Sequence, residues 1–91
     1  MKIELSANDQ EFIIDLFQKR QFLQSVIKNL VESSTTHPDS DEYLECELSK
    51  DELKELVGEL SYEANHNRSK IISEHACEAA DSLEAQLWRA K

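Results

Sequence analysis

The spacing of apolar and polar residues changes period along this chain. After Met1, Ile3 and Leu5 alternate with Lys2 and Glu4, the period-two pattern of a half-buried strand. Ser6 then fits a helix N-cap, because its hydroxyl can accept from an otherwise unpaired N–H of the first turn. Asp9, three residues on, completes a capping-box-like pattern that also favours the helix dipole. A helix is expected from Ala7. The same punctuation recurs at Leu44, Cys46 and Leu48, which alternate with acids, followed by Ser49 as a cap and Glu52 three residues later. Each of the two "ELS" runs therefore marks a strand-to-helix junction. Two strands alone are marginal in water, so one expectation is that they pair with each other or across a dimer, packed on the helices. The other is a pair of extended segments with no ladder between them.

The first helical pattern predicts one helix from Ala7 to about Glu32, stopping where "SSTTHPDSDE" supplies turn formers and a proline. At 100° per residue, its apolar positions from Phe12 to Val31 cover an arc of about 220°. A surface helix needs a stripe of little more than about 100°. The excess predicts a helix packed among several neighbours or contributing to a subunit interface. A homodimer is expected on that ground, with Phe12, Phe17, Phe22 and Val26 at its interface.

From Lys50 a second pattern places Leu53, Leu56, Val57, Leu60 and Ala64 in one stripe. Ile72, Ala76, Ala79, Leu83, Leu87 and Ala90 form another, rotated by roughly 100° from the first in a continuous helix. Between them lies "NHNRS", in which Asn67 and Ser69 are each able to cap a new helix. A break there is favoured over one long helix. The expected fold is mainly α, a small helical bundle or helical hairpin of two or three helices, with two short strands preceding the helices.

Length and composition narrow the class. The 91 residues predict a single domain over 1–91. A chain this short buries only about 60 to 70 per cent of its unfolded surface, so a partner subunit is a common source of the missing burial. One Gly and one Pro exclude the turn-rich pattern of a β domain. Cys46 and Cys77 show neither metal nor redox spacing, and no signal region or membrane-spanning run is visible. Free thiols in the cytoplasm are expected.

Charge changes the picture more. The net charge is −9, and residues 39–63 hold ten acids against Lys50 and Lys54. Such a field repels nucleic acid and anionic membrane and steers a basic protein partner inward. Asp51, Glu55, Glu59 and Glu63 recur every four residues with no base at the same spacing, which predicts a ridge of carboxylates opposite the Leu53 stripe. That ridge is either a docking face for a basic partner, a mimic of a phosphate backbone, or an ordinary solvated helix face.

The pairs Glu52/Glu55 and Glu78/Asp81, each three residues apart, are carboxylate sets suited to a hard cation. With "ELVGELSYEA" from Glu55, they resemble the all-α nucleoside triphosphate pyrophosphatases, which implies a metal-dependent nucleotide hydrolase. The pattern departs from that family at Leu56, where an acid three residues before Glu59 is needed. Both pairs also project away from the apolar stripes, whereas bundle metal ligands converge inward. Glu63 and His66 form an ExxH, without the inward carboxylates a di-metal bundle requires. His75 with Cys77 lacks the other ligands of a zinc site. With Gly58 as the single glycine there is no phosphate loop and no nucleophile elbow, so no metal or other cofactor is expected. "THPDSDEY" is similar to a loop of the small acidic bacterial immunity proteins. The function expected is a non-enzymatic interaction module, an inhibitor, adaptor or immunity-like protein, with a pyrophosphohydrolase or a DNA mimic as the alternatives.

Overall fold

A computed structural model of the chain describes residues 1–37 and 40–89, the side chains of His37, Ser40 and Asp41 excepted. The predictions for Pro38, Asp39 and Ala90 lie outside the described residues. The chain forms two compact units, Met1–Ser49 and Lys50–Lys91. The fold is mainly α with a small three-stranded sheet.

In the first unit, β1 (Lys2–Ser6) leads into α1 (Ala7–Leu16), and Ser6 Oγ accepts from Asp9 N at 3.0 Å as a helix cap. A 3₁₀ turn (Gln21–Leu23) and α2 (Gln24–Glu32) follow, then β2 (Thr35–His37) and β3 (Ser40–Glu47). The sheet order is β1-β3-β2, antiparallel throughout. The two strands that precede the "ELS" junctions pair with each other: Ile3 faces Cys46 and Leu5 faces Leu44. Beyond the ladder, Met1 N donates to Leu48 O at 2.7 Å and Leu48 N donates to Met1 O at 3.1 Å. Ile3, Leu5 and Cys46 are buried on one face of the sheet, while Lys2, Glu4, Glu47 and Tyr43 line the exposed face.

Two expectations are corrected in this unit. The continuous helix from Ala7 to Glu32 is instead two helices interrupted over residues 17–23. No glycine or proline causes the interruption. The Gln24 side chain does much of the local work, donating from Nε2 to the carbonyls of Phe17 at 2.9 Å, Arg20 at 3.0 Å and Gln18 at 3.3 Å. Those carbonyls belong to the segment between the helices, where Phe17 O and Arg20 O also accept from the N–H groups of Arg20 and Leu23. Once divided, the buried positions of α2, Val26, Ile27 and Leu30, span about 100°, an ordinary one-sided stripe, and α1 buries Ile13.

The second correction is β2, which occupies part of the segment expected to be loop. Ser33 ends α2 by donating to Asn29 O at 2.6 Å, and its Oγ accepts from Glu47 N at 2.8 Å, tying the end of α2 to the end of β3.

The second unit is a helical hairpin of α3 (Lys50–His66) and α4 (Lys70–Arg89), which pack against each other. The buried face of α3 carries Leu53, Leu56, Val57 and Leu60, and that of α4 carries Ala76, Ala79, Ala80 and Leu83. The break falls at "NHNRS" as expected. Asn67 Oδ1 accepts from Ser69 N at 2.8 Å in an Asx turn, and Ser69 Oγ accepts from Ile72 N at 3.3 Å as the cap of α4. Ser73 Oγ donates back to Ala64 O across the turn.

Candidate interaction surface

The four acids of the expected ridge lie on α3, and a four-residue step on an α-helix advances by about 40° beyond a full turn. The line Asp51–Glu55–Glu59–Glu63 therefore winds around the helix instead of running straight along it. Its start is opposite the buried leucines and its end is beside them. Asp51 and Glu55 are exposed, whereas Glu59 and Glu63 are half-buried. Glu63 is already engaged, its Oε2 accepting from Asn67 Nδ2 at 3.0 Å at the helix end. The straight ridge is thus corrected to two open carboxylates, Asp51 and Glu55, flanked by a half-buried Glu59.

An aromatic group joins them. Tyr62 is 51 % exposed. Its ring stacks on His66 with centroids 4.1 Å apart and planes at 15°, while His66 Nδ1 lies 2.9 Å from Tyr62 O. On the helix wheel Tyr62 falls between Asp51 and Glu55, so carboxylates and a stacked aromatic pair share one exposed face. The pattern of acids alone does not single out Tyr62, although its angle opposite the Leu53 stripe marks it as solvent-facing.

The expected oligomer residues separate sharply. Phe17 is 0 % and Val26 2 % exposed, so both are consumed within the single chain; Phe12 is half-buried, and Phe22 on the 3₁₀ turn is 55 % exposed. Of the four, Phe22 alone presents most of its surface to solvent.

The carboxylate pairs do not converge. Glu55, Glu78 and Asp81 are exposed and Glu52 is half-buried, and among the described residues no three His, Cys, Asp or Glu side chains form a metal-holding group. In the ExxH pair, His66 is stacked on Tyr62 and Glu63 is turned to Asn67. Cys77 is exposed, with its Sγ 4.0 Å from Asp81 Oδ2, and Cys46 is buried, where desolvation pushes its thiol above the ordinary value of 9.0 against a hydrogen bond with Ser34. Both cysteines are free. Among the described residues, no helix is long and apolar enough to cross a membrane.

The sequence matches no protein-family model, no curated protein and no solved structure.

Proposed function

We propose that this protein is a non-enzymatic protein–protein interaction module of the cytoplasm, a small acidic inhibitor, adaptor or immunity-like protein that engages a basic partner through the exposed face of α3. The observation that carries this reading is the grouping of Asp51 and Glu55 with the exposed Tyr62 on one face of a helix whose opposite face is buried. The carboxylates speed and orient the encounter with a basic surface, and the tyrosine supplies desolvated contact once it is made. Glu59 contributes from the margin of this face; Glu63 acts through the turn it holds. The exposed Cys77 thiol, free of any disulfide, accords with a reducing compartment. Self-association into a homodimer, as part of the same proposal, now rests on Phe22, and Phe22→Glu should shift a dimer toward monomer in sedimentation.

The test is capture from the native cell by wild type and by a Glu55→Lys/Glu59→Lys variant, followed by association kinetics with the captured protein. Wild type should retain a basic protein with an on-rate that falls as salt rises, since exposed charges are screened beyond about 8 Å at physiological ionic strength. The variant should retain its fold and lose that partner. Equal capture and equal salt dependence by the two forms would remove the reading's support.

A further inference from the structure

The α3/α4 hairpin contains a cleft of about 390 Å³ lined by Lys50, Lys54, Val57, Gly58, Glu84, Leu87 and Trp88. Its volume lies within the range of roughly 300–1,000 Å³ found for small-molecule sites. Its chemistry is unlike that of the surrounding surface. The protein carries a net charge of −9, yet both lysines of α3 stand on this rim, one turn apart, above the apolar side chains of Val57, Leu87 and Trp88. Glu84 is the single acid in the lining.

Gly58 is the second observation. It is the only glycine in the chain and sits inside a 17-residue helix, where glycine costs about 1 kcal/mol relative to alanine. Backbone conformation does not call for it, since no glycine has positive φ. Crowding does not call for it either, because a Cβ built there meets nothing within 4 Å. Gly58 is part of the cleft's lining, so a side chain there would stand at the edge of the cleft.

We infer that this cleft is a binding site for a small amphiphilic anion, an apolar or aromatic body bearing one anionic head. Lys50 and Lys54 hold the head as two point charges, and the body lies over Leu87, Val57 and the Trp88 ring. Glu84 orients the ligand by repelling the head from the other wall, and it disfavours a second negative charge. Acidic recognition by the other flank of α3 is not required, because Lys54 and Glu55 are separated by about 100° around the helix. The lysine variant therefore tests the cleft without altering the acids of the protein-binding face, and Glu55→Lys/Glu59→Lys tests that face without altering a residue of the cleft lining.

Trp88 is the only tryptophan, so its fluorescence reports occupancy directly. Titration of the full chain with 4-phenylbutyrate should give a saturable change with a Kd on the order of a millimolar, as befits a ligand of this size. The matched alcohol and the matched amine should each bind at least about fivefold more weakly, the contribution of two partly exposed charge contacts. Lys50→Gln/Lys54→Gln should bring the acid and the alcohol to equal affinity with an unchanged circular dichroism spectrum. Gly58→Leu should abolish saturation while leaving the melting temperature equal or higher, which separates a blocked cleft from a damaged helix. The inference is overturned if the alcohol or amine matches the acid in wild type, if no saturation occurs, or if Gly58→Leu binds as wild type does.

Discussion

The two halves of this chain solve the same problem of burial with different means. Met1–Ser49 closes through partners distant in sequence, Ile3 with Cys46 and Met1 with Leu48, and its fully buried side chains include the large Ile3, Ile13, Phe17, Leu23 and Leu30. Lys50–Lys91 closes through a short turn at Asn67–Ser69, and the buried face of α4 is mostly alanine. Closing a long loop costs more chain entropy than closing a short one, so the first unit depends on bulky side chains that pack only after remote segments meet. A local turn brings α3 and α4 together cheaply, and small side chains on α4 let the helices approach closely. Loss of bulk is therefore the sensitive change in the first unit, and added bulk on the alanine face of α4, opposite the leucines of α3, is the sensitive change there.

Removing bulk from the first unit should have the largest effect. Phe17→Ala deletes a fully buried ring and should lower stability by about 3–5 kcal/mol, measured by urea denaturation and by loss of amide protection in β1 and β3. A loss below about 1 kcal/mol would mean the site collapses around the deletion and that large side chains are not what closes this unit. Adding bulk to the second unit should cost less. Ala79→Leu places three extra carbons on the buried face of α4 and should destabilise by about 1–3 kcal/mol, with the hairpin's amide shifts changing along both helices. A neutral result would show slack between α3 and α4 that alanine does not fill.

What the sequence made legible follows the same division. Both caps, at Ser6 and at Ser69, were readable because a cap depends on residues within one turn of it. The antiparallel pairing of Ile3 with Cys46 was an open choice, since register between remote strands is decided by which faces become buried. The break between α1 and α2 was not legible because its carbonyls are satisfied by the side chain of Gln24, not by a glycine or a proline. Half of the acidic ridge was legible: Asp51 and Glu55 stand open as their spacing suggests, but the winding of the line toward Glu63 had to be carried through turn by turn. The cleft at Gly58 was invisible in the sequence, because Lys54 and Glu84 become neighbours of one space only when α3 and α4 fold back on each other.

The caps sharpen the comparison on a smaller scale. Ser6→Ala removes the acceptor for Asp9 N and should cost about 1 kcal/mol. Ser69→Ala removes the acceptor for Ile72 N, but Asn67 still holds the turn by accepting from Ser69 N, so a smaller loss is expected, again by denaturation. Equal losses would show that the Asx turn adds nothing to the hairpin's closure.

The smallest effect distinguishes the units by their thiols. Cys77 in the hairpin is exposed and should react with Ellman's reagent at once, whereas Cys46 in the sheet is buried and should react only as fast as the first unit opens. Burial raises the Cys46 pKa, a hydrogen bond with Ser34 opposing it, so the folded chain keeps this proton at a pH where the unfolded chain begins to release it. The stability associated with the neutral thiol is then complete below the unfolded pKa and declines as pH rises through that value toward the folded one. Urea denaturation of wild type and Cys46→Ala from about pH 7 to about pH 10 should show the difference between them shifting against wild type as pH rises. A difference that stays constant across this range, or rapid labelling of both thiols in the folded protein, would mean that the sheet face bearing Cys46 is open to water and that the first unit is not the tightly closed one.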